Sequence, residues 1–373
     1  MKKVCFVVSS PLTAKSFLKE PIYRLSNLCD VSLIVNLSGT DSDFLLKDLT
    51  VKQTIHFKIE RKISITNDLI CLFNLIKFFK KNKYDVIHSV SPKAGLISML
   101  AGYLSNIPIR IHTFTGQVWS TKRGIFRFIL KKIDSLISHC STDLLTDSKP
   151  QLIFLKNQGF KKKINILGNG SICGVSLNRF NPSNIEREKQ RKKLKILEKE
   201  TVFMFIGRIN KDKGVIDLIE AFKKINTSDF SCSLYIIGND ENEIRFKYEF
   251  EHSNIHFFSY EENPENILQA CDIFCLPSYR EGFGMSIIEA SALEKPVICS
   301  DVYGLRDTII DGETGLRHRV GDVSHLKQKI EYALLNPKKM KRMGKKGRIY
   351  VSRNFDQLYL LREWENFYRK ILK

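Results

Sequence analysis

Two acids with seven residues between them, Glu281 and Glu289, stand in the segment "PSYREGFGMSIIEASALEKP" (277–296). Between them Gly282, Phe283, Gly284 and Met285 form a turn that leads into an apolar run at helical spacing. A carboxylate can accept hydrogen bonds from two hydroxyls of a neutral polyol. Glycines let the backbone approach a ligand closely, and the free N–H groups of a helix start favour a phosphate. A second stretch, "FIGRINKDKGV" (205–215), places Gly207 at a strand end with Arg208 and Lys213 just beyond it. Two cations there can neutralise a diphosphate without a metal, and arginine can grip it in a bidentate manner. The combined chemistry is a diphosphate held by cations and amides, with acids clasping hydroxyl-rich groups on either side. Each piece also has a structural reading. Ser286-x-x-Glu289 fits a helix capping box, and Glu281 beside Arg280 fits a solvated turn.

These residues need rigid elements behind them. Strand-like runs at 3–9, 30–37, 85–91 and 109–116 alternate with helix-like runs at 17–28, 68–84 and 94–106. A second cycle of strands follows at 201–209, 231–239, 254–260, 272–278 and 296–301, with helices at 213–225, 264–271 and 284–294. The β-α-β-α order predicts an α/β fold with parallel, doubly wound sheets, and 373 residues exceed one ordinary core. Two Rossmann-like domains are expected, hinged near 175–182 and facing each other across a deep cleft. Ligands of such sheets lie at the carboxyl ends of the strands. The expected division is 1–177, 178–355 and a final amphipathic helix, 356–373, that packs on the body and crosses back to the first half.

Composition narrows the function classes. The net charge is +20, and residues 1–180 carry most of it, with 27 Lys and Arg against 11 Asp and Glu. Such a half suits an anionic surface partner. The segments 76–83 and 121–134 join basic clusters to Phe, Ile and Leu, as interfacial helices do. Nine scattered cysteines without a CxxC pair, most of them in apolar runs, predict buried thiols and no metal site. No apolar run is long enough to span a bilayer, and the N-terminus reads as a first strand instead of a signal peptide, so a cytoplasmic location is expected. A nucleic-acid-binding protein would explain the charge but not the Glu pair, and no RNP-like or helix-turn-helix motif is present. A dinucleotide-dependent oxidoreductase would need GxGxxG after the first strand, where "VSSPLTAKS" stands.

With "HSVSPKAGLISMLAGYLSNIPIRIHTFTGQVW" (88–119), "LGNGSICGVSLNRF" (167–180) and "DGETGL" (311–316) added, the chain resembles the retaining GT-B glycosyltransferases of family 4, in their capsule and O-antigen branch. The likeness runs nearly end to end. It implies that Arg208 and Lys213 hold the donor diphosphate and stabilise the departing nucleotide. It implies that Glu281 binds the transferred sugar, with Gly207, Gly282, Phe283, Gly284 and Met285 around the donor, and that Glu289 binds the ribose. His112 matches the family's histidine near the donor sugar, although a histidine in an apolar strand also fits a core. The implied donor is a nucleotide sugar, a UDP-sugar such as an N-acetylhexosamine or galactose-type hexose donor. The implied acceptor is a lipid-linked saccharide at an anionic membrane surface, with peripheral association at its cytoplasmic face. No metal, no other cofactor and no nucleic acid is expected, and a GT-B sugar-nucleotide epimerase is the nearest alternative within the fold. Relatives often carry a Gly-Gly pair in the first loop, and 9–18 here has no glycine.

Overall fold

Runs rich in Val, Ile, Leu and Phe form the strands, and β-branched side chains suit a sheet that is covered on both faces. The structure, a computed structural model, describes residues 1–39, 45–60, 63–225, 229–249 and 252–373. The chain divides into two units, 1–174 with 357–373, and 175–356. In the first, β1 (Lys3–Val7), β2 (Asp30–Val35), β3 (Gln53–His56), β4 (Val86–Val90), β5 (Ile109–Phe114), β6 (Asp143–Thr146) and β7 (Ile164–Ile166) form one sheet. Its order is β3-β2-β1-β4-β5-β6-β7, with every pair parallel. In the second, β8 (Thr201–Ile206), β9 (Cys232–Ile237), β10 (Ile255–Phe258), β11 (Ile273–Leu276), β12 (Val297–Ser300) and β13 (Gly315–His318) run in the order β10-β9-β8-β11-β12-β13, also all parallel. Each sheet reverses its strand order once, between β1 and β4 and between β8 and β11. Crevices for ligands open at such switch points.

Strands β4, β9 and β12 are buried along their whole length, which is why their sequences run apolar without alternation. Strands β3, β6, β7 and β13 were not foreseen. They have at most four residues each, and β3 is a mostly exposed edge strand without an apolar run to mark it. The glycine-free segment 9–18, expected as a loop, is helical from Pro11. It runs through Pro11–Thr13, a π-helical stretch Ala14–Leu18, and Lys19–Leu25. Pro11 suits a first helical position, and Ala14 and Leu18 are buried, so no glycine is needed there.

The final helix, Gln357–Ile371, belongs to the first unit. Its hydrophobic face carries Leu360, Leu361, Trp364 and Tyr368 into the core beside β1 and β4. Trp364 donates its indole N–H to the Ile172 carbonyl at 2.6 Å. The Tyr368 hydroxyl lies 2.7 Å from His88 Nδ1, and His88 Nε2 lies 2.7 Å from Thr113 Oγ1. Phe6, His88, Trp364 and Tyr368 stack into one aromatic cluster. All nine cysteines are buried and unpaired.

Replacing a fully buried tryptophan removes both its packing and the bond to Ile172. Trp364→Ala should cost about 3–5 kcal/mol of stability, read from urea unfolding followed by circular dichroism. A loss below about 1 kcal/mol would mean that the final helix does not anchor the first unit.

Candidate active site

The loop after β8 is fixed before any side chain is considered. Gly207 N–H bonds the Ile237 carbonyl and Ile209 N–H bonds the Asn239 carbonyl, so the loops after β8 and β9 run side by side. Gly238 has φ +150, and a Cβ there would lie 1.8 Å from the Gly207 carbonyl oxygen. Only glycine fits. Arg208 rises from this base, and its NH1 donates to both Glu241 carboxylate oxygens, at 3.2 and 3.0 Å. Among the described residues, Arg208 Nε and NH2 have no partner. Asn210, 7% exposed, donates to Glu241 Oε2 at 2.7 Å and accepts the Lys213 N–H at 3.1 Å. It thereby caps the short 3-10 turn Lys211–Lys213.

The loop after β11 meets it across the switch point. Tyr279 N–H bonds the Asp212 carbonyl at 2.9 Å, and Arg280 pairs with the Asp212 carboxylate at 3.1 Å. Lys213 Nζ donates to Glu281 Oε1 at 2.5 Å, and the fully buried Ser278 donates to the same oxygen at 2.8 Å. Glu281 is therefore no solvated turn residue. Its side chain is 11% exposed and oriented by two donors, with Oε2 left unengaged among the described residues. Gly282 is buried, and Phe283 packs edge-on against Phe355. The helix Met285–Ala292 begins at Gly284, with no side-chain cap. Met285 N–H bonds the Phe283 carbonyl at 3.0 Å. Among the described residues, the N–H groups of Gly282, Phe283 and Gly284 have no backbone partner.

Because the helix starts at Gly284, Ser286 cannot be its cap, and the capping-box reading of Glu289 fails. Glu289 lies in the second turn, half-buried, and its carboxylate has no hydrogen bond or ion pair among the described residues. Burial pushes its carboxyl up to about 7; Arg179 nearby opposes that rise and Glu265 adds to it. Arg179 itself pairs with Glu265 at 2.7 Å. Each of these carboxylates and Arg208 thus keeps at least one polar edge open at the carboxyl end of the second sheet.

His112 stands apart, on β5 of the first unit. It is fully buried, its Nδ1 lies 2.8 Å from Ser89 Oγ, and its ring meets Phe114 edge-on. Among the described residues its buried Nε2 has no hydrogen-bond partner, and burial pushes its pKa down to about 3, so the ring is neutral. The structure brings Gly207, Arg208, Lys213, Glu281 and the 282–285 turn together, with Glu289 along the helix that follows. Sequence reasoning missed Asn210, Glu241 and Ser278. Ser278 lies inside the quoted motif and could have been asked what holds its acid.

Comparison with known proteins places these residues in context. "Glycosyl transferases group 1" matches residues 186–350, and "Glycosyl transferase 4-like" matches residues 3–140. The chain is 33% identical over 322 residues to the capsular polysaccharide biosynthesis glycosyltransferase CapM of Staphylococcus aureus, covering 84% of each. It is 29% identical over 285 residues to the UDP-Gal:alpha-D-GlcNAc-diphosphoundecaprenol alpha-1,3-galactosyltransferase of Escherichia coli, covering 74% of this chain and 72% of that one. Its fold matches that of HepE from Anabaena, solved with UDP and glucose, at a TM-score of 0.82 and 16% identity over 99% of this chain and 100% of that one.

The Glu289 carboxyl generates a test that needs no ligand. Its pKa is raised in the fold, so the stability of the neutral form is lost as pH climbs from the ordinary carboxyl range through about 7. Glu289→Gln removes that loss and should raise the melting temperature more at pH 8 than at pH 5. An equal fall at both pH values would restore a structural role for the acid.

Proposed function

The chain belongs to the family 4 glycosyltransferases of GT-B fold, and from that premise we propose that it transfers a hexose or N-acetylhexosamine from a UDP-sugar to a lipid-diphosphate-linked saccharide, with retention of configuration, in capsule or O-antigen synthesis. One observation carries the reading. At the switch point of the second sheet, Arg208 and Lys213 stand beside Glu281 and the open amides of 282–284, with Glu289 one helical stretch further on. The cations meet the diphosphate. Glu281 Oε2 accepts a hydroxyl of the transferred sugar, and Glu289 accepts those of the ribose.

Charge develops on the diphosphate as the bond from the sugar anomeric carbon to its oxygen breaks. Fixed cations and amides aimed at that oxygen stabilise it more than the ground state, which lowers the barrier. The acceptor hydroxyl enters on the same face, and its proton passes to the departing phosphate oxygen. Neither an enzyme nucleophile nor a metal ion takes part in this path. The names of the Escherichia coli relative's donor and acceptor support the substrate classes chosen for this chain.

The first unit carries a surface suited to the membrane in which a lipid-linked acceptor is held. The helices Ile65–Asn82 and Gly124–Cys140 both pack on the helix Pro92–Leu104. In the segment 76–83, Ile76, Phe78 and Phe79 pack into the core, whereas in 121–134 Ile125, Phe126, Phe128 and Ile129 are exposed; one to three turns before the first segment, Ile65, Leu69, Ile70 and Phe73 are exposed as well. Lys77, Lys80 and Lys81 share the first helix, and Arg127, Lys131 and Lys132 the second. Apolar side chains beside basic ones suit an anionic lipid surface, where the protein associates peripherally. Among the described residues, no helix is long and apolar enough to cross a membrane.

Assay with a panel of nucleotide sugars and a lipid-diphosphate saccharide, in EDTA, tests the chemistry. Arg208→Ala and Glu281→Gln should each lower kcat/KM by about 100-fold or more, with melting temperatures within a few degrees of the parent. NMR of the product should show the donor's anomeric configuration. A strict metal requirement, an inverted product or full activity in either variant would overturn the reading. Phe73→Ser with Ile125→Ser should weaken flotation with anionic vesicles but leave transfer to a soluble acceptor analogue unchanged. Undiminished flotation would remove these helices from the membrane contact.

A further inference from the structure

We infer that Glu241 is a positioning residue that holds the Arg208 guanidinium with one edge turned to the donor diphosphate, an inference that rests on the transferase reading above. Both carboxylate oxygens of Glu241 accept from the same nitrogen, NH1, at 3.2 and 3.0 Å. The Nε–NH2 edge, the one best shaped for a side-on grip on two phosphate oxygens, is left unengaged among the described residues. An arginine held by one nitrogen has already lost much of the rotamer freedom that a ligand would otherwise have to remove.

Glu241 is built into the framework. Its own N–H bonds the Ile209 carbonyl at 3.0 Å, on the loop that carries Arg208. The buried Asn210 fixes its Oε2 at 2.7 Å, and Asn210 also caps the turn that delivers Lys213. Lys211 N–H bonds Asn242 Oδ1 at 3.2 Å, one residue beyond Glu241. The carboxylate is thus held by the same two loops that Gly238 allows to lie in contact. It joins the two diphosphate cations through Asn210, and no part of the motif resemblance reaches it.

Coulomb's law gives the idea a sign that can be tested. Glu241 is an anion beside an anion site, so by charge alone its removal should tighten diphosphate binding. Loss of orientation should do the opposite. Titration calorimetry with UDP, and with inorganic pyrophosphate as a probe lacking the nucleoside, separates the two. For Glu241→Ala, UDP binding should weaken by about tenfold, and kcat should fall along with a rise in the donor KM. Glu241→Gln should recover part of the loss, because its amide oxygen can still accept from NH1. In an Arg208→Ala background, Glu241→Ala should cause no further weakening, and at most the small tightening that charge alone gives, since the orientation effect acts through Arg208.

Unchanged or tighter UDP binding in Glu241→Ala would overturn the inference and make Glu241 a mere competing anion. An equal loss with and without Arg208 would overturn it as well, by showing that Glu241 acts elsewhere. Should Glu241→Ala fail to fold, the Gln variant carries the same cycle with the side-chain shape kept. If Arg208→Ala leaves UDP affinity intact, the donor reading itself fails, an outcome separate from any result on Glu241.

Discussion

Backbone lies directly on backbone at the carboxyl end of the second sheet, and the site depends on that contact. Gly238 sits where a Cβ would strike the Gly207 carbonyl, and Gly304 sits where one would fall 2.1 Å from the Glu281 carbonyl oxygen. The first contact fuses the loops after β8 and β9, and the second fuses the loops after β11 and β12. Between the two fused pairs run the Asp212–Arg280 and Lys213–Glu281 ion pairs. A site whose geometry must hold to a fraction of an ångström gains from supports that have no side-chain freedom to lose. The charged groups are therefore presented by a rigid rim.

Electrostatics on that rim follow a consistent plan. The Lys213–Glu281 pair is largely removed from water, and such a pair repays its desolvation only when the geometry is good and other bonds help. Ser278 provides that help from a fully buried position. The Arg208–Glu241 pair is more exposed and contributes little to stability by itself. What it does contribute is direction, since Asn210 fixes the carboxylate. Glu289 has neither arrangement. It is a half-buried acid with no ion-pair partner among the described residues and its carboxyl pushed up to about 7, a state that costs folding free energy and that pure structure gives no reason to keep.

Much of this was legible in the sequence because it rests on local patterns. Apolar runs rich in β-branched residues marked all nine of the anticipated strands, which lie in two parallel sheets, and glycine-flanked charges marked Arg208, Lys213 and Glu281. The unreadable parts are those set by distance along the chain. Glu241 meets Arg208, and Ser300 bonds the Ser278 carbonyl, only once the sheet has brought their loops together. Short edge strands such as β3 and β13 lack the length to show a period. The capping motif at Ser286 was misleading for a related reason. The pattern was present, but the helix begins at Gly284, two residues before Ser286, with no side-chain cap.

The apolar faces of Ile65–Asn82 and Gly124–Cys140 mark the limit of periodicity arguments. A helix on a sheet needs one apolar stripe, and these helices have that stripe, with Cys71, Leu75 and Phe79 buried on one and Ile137 and Cys140 on the other. The exposed Phe73, at 58%, and Ile125, at 73%, lie outside it. Lys77 Nζ sits 4.3 Å from the Phe73 ring centre, and Lys132 Nζ sits 5.3 Å from that of Phe128, so basic groups accompany the exposed rings. In water such residues add nothing to the fold and raise the risk of aggregation. Against a surface of anionic headgroups the same residues gain on both counts, the rings by burial and the lysines by charge. Under the proposed membrane contact, the excess charge of the first 180 residues has a use that the second unit, with its near-neutral balance, does not share.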